Sequence, residues 1–135
     1  MIQRHGWTLL FHDCLIAQLT RLHLAVERAR SQGAEGFESN ANVKLFNALA
    51  DLIFERVPTD PNRTEYRQGN TLGLPFRHWR RAKIGRRFRL FFRFDSRSRI
   101  IIYAWVNDAQ TLRASNTLNA RLENPLRSQF GLEPR

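Results

Sequence analysis

The chain has 135 residues, enough for one domain with a hydrophobic core, and its 42% hydrophobic residues and three Trp argue against a disordered tail. Its formal net charge is +10. No run approaches the ~20 apolar residues of a membrane-spanning helix, and the start lacks the pattern of a signal peptide. A single cysteine, Cys14, cannot form an internal disulfide. We therefore expect one cytoplasmic domain over residues 1–135.

Two amphipathic helices are predicted in the first half of the chain. The apolar stretch GWTLLF is interpreted as a first strand, and residues 13–31 then carry Leu and Val at helical spacing before SQG. Residues 41–57 repeat this pattern, and Pro58 is expected to stop the second helix. The pair predicts an α-hairpin lying on a flat partner. A long loop rich in Pro, Gly, Asn and Thr follows over residues 58–75.

From Trp79 onward the apolar period changes from helical to two. The segments WRRAKIG, RFRLFFRFD and RIIIYAWVND are separated by turn-compatible residues, which predicts a three-stranded antiparallel meander. The stretch TLNARLENPLRSQFG near the end is helix-compatible but contains Pro125. The expected fold class is therefore α+β, with two N-terminal helices packed on a small antiparallel sheet and a C-terminal helical segment.

The positive charge is concentrated in the strands. Residues 77–99 contain ten Arg or Lys and one Asp and sum to +9, whereas residues 1–76 have eight basic and eight acidic side chains and sum to zero. Arginine supplies 20 of the 22 cations, and it is suited to bidentate phosphate contact and to stacking on bases. A patch of this kind predicts a polyanionic partner, most simply nucleic acid; the alternative is a solvated basic face without a partner.

Alternation assigns the side chains of the predicted strands to two faces. The core face is expected to receive Ala82, Ile84, Phe88, Leu90, Phe92, Phe94, Ile100, Ile102, Ala104 and Val106. The open face is then expected to carry four cations and three aromatic rings: Arg81, Lys83, Arg89, Arg93, Phe91, Tyr103 and Trp105. Cations interleaved with rings are typical of single-stranded RNA binding. The alternative is that the C-terminal segment covers the rings and that they are core.

The sequence contains no pattern of metal ligands, no nucleophile motif and no phosphate-binding glycine loop, so no metal or cofactor is expected. A carboxylate-poor, Arg-rich face suits cleavage of RNA by its own 2′-hydroxyl, because fixed guanidinium groups stabilise the charge that gathers around the phosphorus. Lys83, crowded by other cations, is a candidate base. His78 is a candidate proton carrier or a structural residue.

Three blocks of sequence carry a resemblance to a known family. They are WRRAKIGRRFRLFFRF at residues 79–94, WVNDAQTLR at residues 105–113, and the early Gly6, Trp7, His12 and Cys14. Together they resemble the YhaV family of toxins, within the RelE-like group of toxin–antitoxin ribonucleases. The resemblance implies a bacterial toxin that cleaves mRNA in translating ribosomes. It also implies a cognate antitoxin of the PrlF type with an AbrB-like fold, through which alone operator DNA is bound.

The resemblance also suggests roles for single residues. Arg81 and Lys83 match the family's basic pair, Arg89 matches the arginine at the scissile phosphate, and Arg113 is a weaker match to a later arginine. Several relatives place a Tyr or His near the C-terminus, but this chain has no Tyr after Tyr103 and no His after His78. The general acid is therefore open between an arginine, His78 and stabilisation of the leaving group alone.

The remaining candidates lie around this set. Asn107 and Asp108 are expected to shape the cleft, with Asp108 orienting Arg113, or else to form a turn. Arg86 and Arg87 are interpreted as rim charges that attract RNA. The alternative function is a domain that binds RNA or the ribosome and blocks translation without cutting.

Overall fold

The computed structural model describes residues 2–33, 36–37, 39–67 and 79–108, which form a five-stranded sheet with helices on one face. The spatial order of the strands is β1-β2-β5-β4-β3. In chain order the elements are β1 (Ile2–Arg4), β2 (Trp7–Phe11), α1 (Asp13–Ser31), α2 (Ala41–Asp51), a π-helical turn (Leu52–Arg56), α3 (Val57–Thr59), a 3-10 turn (Thr64–Tyr66), β3 (Arg80–Ile84), β4 (Phe88–Asp95) and β5 (Ile100–Asp108).

The α+β class and the β3–β4–β5 meander are confirmed, but the expected N-terminal arrangement is wrong. Two strands precede the helices, since β1 and β2 form a hairpin through His5 and Gly6, whose φ values of 51° and 81° suit a two-residue hairpin turn. β2 then pairs parallel to β5, so the sheet is mixed rather than antiparallel. A long crossover makes this parallel pairing possible. The predicted C-terminal helical segment lies outside the described residues.

Each long helix begins at a side-chain cap. His12 Nδ1 accepts a hydrogen bond from the Cys14 N–H (2.9 Å), and Asn40 Oδ1 accepts one from the Asn42 N–H (2.9 Å). The predicted span of α1 is confirmed. The predicted stop of the second helix at Pro58 is wrong, because the π-helical turn and α3 continue it to Thr59. Pro58 lies in the first turn of α3, where a missing N–H is tolerated.

A β-bulge in β5 changes which side chains face the helices. Phe91 pairs with Trp105 and Phe92 with Tyr103, so Ala104 is an extra residue on β5 and the alternation reverses there. Tyr103 therefore faces the helices and donates its hydroxyl hydrogen bond to the Ile53 carbonyl (2.7 Å). The expectation of an outward Tyr103 is wrong for this reason. So is the expectation of inward Ile100 and Ile102, because Ile101 lies in the core instead.

The main core lies between the sheet and the helices. Leu15 of α1, Leu49 of α2 and Val57 of α3 pack with Leu90 and Phe92 of β4. These residues are almost completely buried, as alternation in β4 and helical periodicity in α1 and α2 predict. A different set of side chains therefore lies on the opposite face of β3, β4 and β5.

Gln18 of α1 takes the place of a neighbouring strand beside the end of β5. β2 pairs with β5 only as far as Tyr103. Further along, the Gln18 amide donates to the Val106 carbonyl (2.8 Å) and accepts from the Val106 N–H (2.8 Å). One side chain thus satisfies both backbone groups of Val106, just before Asn107.

Replacing Gln18 with leucine is expected to lower the free energy of unfolding by about 2–4 kcal/mol, because two partly buried backbone groups lose their partners. Urea denaturation measures this loss. The matched control is Gln3→Leu at an exposed position of β1, which we expect to change stability by no more than about 0.5 kcal/mol. Equal losses in the two variants would contradict the role given to Gln18.

Candidate nucleic-acid interface

The meander places three of the predicted site residues in one line across the sheet, on the face opposite the helices. Lys83 of β3 pairs with Arg89 of β4, and Arg89 pairs with Asn107 of β5. Residues paired directly on antiparallel strands have Cβ atoms about 4.5–5.5 Å apart. We call Lys83, Arg89 and Asn107 the site row. Because the β3–β4 ladder between them has no irregularity, the alternation of the sequence predicts correctly that Lys83 and Arg89 share a face.

Arg89 is the cation of the site row with the strongest reason to bind an anion. It is half-buried, and its Nε is buried without a hydrogen-bond partner. No acidic side chain within the described part of the chain forms an ion pair with it. Burial lowers the pKa of the neighbouring Arg81, and the positive charge of Arg89 lowers it further. Cations that repel one another in this way favour an anion between them.

An aromatic cluster of Trp79, Phe91 and Trp105 lies beside the site row on the same face. The Phe91 and Trp105 rings stack at 4.5 Å with an interplanar angle of 12°, and Trp79 meets Trp105 edge-on at 5.8 Å. All three side chains are 0% exposed. The arrangement favours the alternative that these rings are core, since a base has no exposed ring surface here on which to stack.

Arg93 joins the aromatic cluster to the charged face. Its guanidinium lies 5.3 Å from the centre of the Trp79 ring, a cation–π distance. Burial lowers the pKa of Arg93. The side chain is therefore held in place by the ring and partly desolvated, which would strengthen its attraction for a phosphate.

The two rim arginines of the β3–β4 turn differ in their partners. Arg87 makes a bidentate pair with Asp108, with Nε 3.1 Å from each carboxylate oxygen and a terminal nitrogen 2.8 Å from one of them. The hydrogen bonds to Asp108 raise the pKa of Arg87. Arg86 is exposed, and no ion pair engages it within the described ranges. Asp108 therefore neutralises Arg87, a contact that the sequence analysis did not foresee.

Two further candidates, His78 and Arg113, lie outside the described residues, and so does any contact of Arg113 with Asp108. Cys14 is half-buried, and burial and the nearby Asp13 raise the pKa of its thiol, which makes it a poor nucleophile. Among the described residues no group of three or more His, Cys, Asp or Glu could hold a metal ion. No described helix is long and apolar enough to cross a membrane.

Two residues that the sequence did not single out border Lys83 on the side away from Arg89. Arg56 and Tyr66 line a cavity with Lys83 at the outer edge of β3. Arg56 lies near the end of the predicted second helix, in the π-helical turn, and Tyr66 lies in a 3-10 turn inside the predicted long loop. Tertiary packing alone brings them to β3.

Fold and site define a class: a basic α+β protein whose five-stranded sheet carries a line of cationic and polar side chains on one face. Residues 9–120 match the model of a family described as "Toxin with endonuclease activity, of toxin-antitoxin system". The chain belongs to this family, the YhaV toxins, and the resemblance found in its sequence is confirmed. The protein is therefore a toxin of a toxin–antitoxin system with endonuclease activity.

Two toxins of Escherichia coli agree with this assignment. The chain is 33% identical over 111 residues to the Ribonuclease toxin YhaV of Escherichia coli strain K12, covering 81% of this chain and 72% of that protein. The same figures hold for the Toxin YhaV of Escherichia coli O157:H7. Among solved structures, a chain of the RelBE2 toxin–antitoxin complex from Mycobacterium tuberculosis aligns with a TM-score of 0.47 and 15% identity, over 76% of this chain and 96% of that one.

Proposed function

We propose that the site row is where this toxin cleaves single-stranded RNA without a metal ion, and that the substrate is mRNA on the ribosome. The observation that carries the proposal is Arg89, a half-buried cation with a buried, unpartnered Nε, placed between Lys83 and Asn107. A half-buried guanidinium has less conformational freedom than an exposed one, so it would stabilise charge that develops on a phosphate with little reorganisation.

In the proposed reaction the 2′-oxygen attacks the adjacent phosphorus in line, a 2′,3′-cyclic phosphate forms, and the bond to the 5′-oxygen breaks. Arg89 donates to the non-bridging oxygens, where negative charge accumulates. Lys83, beside Arg89, is the candidate acceptor of the 2′-hydroxyl proton. Arg81, Arg113 and His78 are the candidates for stabilising or protonating the leaving oxygen. Asn107, which is 4% exposed at the far end of the row, would shape the cleft beside Arg89 from within the sheet.

The surrounding cations are proposed to bind the RNA strand on either side of the reacting phosphate. Arg93 and Arg86 would contact phosphates. Asp108, which lines a cavity on the helix side of the sheet, would neutralise the rim charge of Arg87. Trp105 would contribute by supporting β5 from within the aromatic cluster. Such binding is electrostatic and should weaken steeply with salt.

The partner implied by a toxin of a toxin–antitoxin system is its antitoxin. We propose an antitoxin of the PrlF type with an AbrB-like fold, acting with this toxin in the cytoplasm and alone contacting operator DNA. Against a toxin of net charge +10, acidic antitoxin residues laid over the site row would neutralise the cations and exclude RNA together.

Primer extension on an mRNA tests this function, with and without translating ribosomes and with EDTA present. We expect discrete new 5′ ends that survive chelation and that are strongest on translated message. Growth arrest without new RNA ends would support the alternative, a domain that blocks translation without cutting, and would contradict the proposal. Loss of the new ends in EDTA alone would contradict the metal-free chemistry.

A further inference from the structure

A polar cavity lies at the outer edge of β3 and is reached from the site row through Lys83. Its volume is about 260 Å³. The π-helical turn contributes Leu52 and Arg56, the 3-10 turn contributes Glu65 and Tyr66, and β3 contributes Ala82 and Lys83. We call this the edge cavity. Because Lys83 belongs to both, a strand of RNA that leaves Arg89 across β3 would pass directly into it.

Tyr66 forms a rigid part of the wall of the edge cavity and has no role in the proposed reaction. The side chain is 3% exposed, and its hydroxyl is buried, so the aromatic ring rather than the hydroxyl borders the cavity. The ring is held edge-on against Phe92, with centroids 5.5 Å apart. Burial raises the pKa of Tyr66, so no negative charge arises here to oppose a phosphate.

The charged groups of the edge cavity suit one nucleotide. Arg56 and Lys83 are exposed cations, and no ion pair engages either within the described part of the chain. The Glu65 carboxylate lies 3.7 Å from Arg63, so its charge is partly balanced. The Arg56 guanidinium can bind a phosphate, while a carboxylate accepts a hydrogen bond from an exocyclic amine of a base. The π-helical turn that carries Arg56 is a rare element often found at functional sites.

We propose that the edge cavity is a second RNA subsite, which holds the nucleotide next to the scissile phosphate and prefers a base with an exocyclic amine, such as cytosine, to uracil. This rests on the proposed function, because it takes Arg89 as the position of the reacting phosphate. Its volume is below the roughly 300–1,000 Å³ of pockets that enclose whole drug-sized ligands, which suits a single base or phosphate. Arg56 would bind the flanking phosphate, and Glu65 would accept from the cytosine amine.

Binding of 2′-O-methyl oligonucleotides tests the subsite, since they lack the attacking hydroxyl and are not cleaved. Fluorescence anisotropy would compare 12-residue 2′-O-methyl oligocytidine and oligouridine over a range of salt concentrations. We expect the wild-type protein to bind the cytidine oligomer about fivefold more tightly, a factor consistent with the net contribution of one ordinary hydrogen bond. Glu65→Gln should abolish that ratio. The ratio is the readout because this variant also releases Arg63, which could strengthen binding of both oligomers.

Arg56→Gln is expected to weaken both oligomers by a similar factor and to reduce the salt slope by about 0.7, the value for one phosphate contact on a single strand. Arg28→Gln, an exposed arginine in the last turn of α1, is the matched control and should change neither. Equal slopes for Arg56→Gln and Arg28→Gln, or a base preference unchanged in Glu65→Gln, would overturn the subsite. Because no cleavage is measured, these outcomes are separate from a failure of the proposed nuclease, which primer extension reports.

Discussion

Replacing Arg89 with alanine is expected to lower the single-turnover rate of RNA cleavage by about 10²–10³-fold, the typical cost of removing one preorganised donor at a developing charge. Arg89 occupies the middle of the site row, and its buried Nε has no partner to lose. The substitution removes the phosphate contact, and it also removes the electrostatic repulsion between Arg89 and Arg81. Stability should be unchanged or slightly increased, which thermal denaturation would verify.

Two further variants separate the effect of the position and shape of the Arg89 side chain on the cleavage rate from the effect of positive charge alone. Arg89→Lys keeps the charge but loses the planar, bidentate donor, so we expect it to recover only part of the lost rate. Arg97→Ala removes a cation from the exposed β4–β5 turn, eight residues along the chain from Arg89 and beyond the far end of β4. It should slow cleavage only slightly, through weaker attraction of RNA. If Arg97→Ala matched Arg89→Ala, the overall charge rather than the site row would determine the rate.

The elements that the sequence predicted correctly are those determined by the spacing of apolar residues along the chain. Leu15, Leu19, Leu22 and Val26 repeat at helical spacing, and α1 has the predicted bounds. The change to period two at Trp79 located β3, β4 and β5. It also placed Lys83 and Arg89 on one face, because the ladder that joins them contains no irregularity.

Contacts between distant parts of the chain were not predictable in the same way. The bulge at Ala104 is set by how β5 fits between β2 and β4, and an Ile-rich strand gives no sign of where its alternation reverses. The parallel pairing of β2 with β5 joins residues more than 90 positions apart. The contact between Arg87 and Asp108 depends on the pairing of the start of β4 with the end of β5. The sequence instead suggested Arg113 as the partner of Asp108, because the two residues are close along the chain.

Trp105 provides the sharpest test of the difference between a core aromatic and a base-stacking one. Trp105→Ala is expected to lower the free energy of unfolding by about 3–5 kcal/mol, because a fully buried ring that stacks on Phe91 is replaced by a cavity. Chemical denaturation would measure this loss. Ile102→Ala, at a half-buried position of the same strand and face, is the control and should cost less.

Trp105→Leu then separates stability from RNA binding, because leucine refills much of the apolar volume but offers no ring to a base. The indole Nε1 is buried without a hydrogen-bond partner, so its removal leaves no acceptor unpaired. We expect RNA affinity to change by less than about twofold when measured where both proteins are folded. Stacking on a base is worth about 1–3 kcal/mol, or at least fivefold in affinity. A loss of that size in folded Trp105→Leu would mean that the aromatic cluster opens to receive RNA bases; an unchanged affinity would mean that it supports the site row from inside the protein.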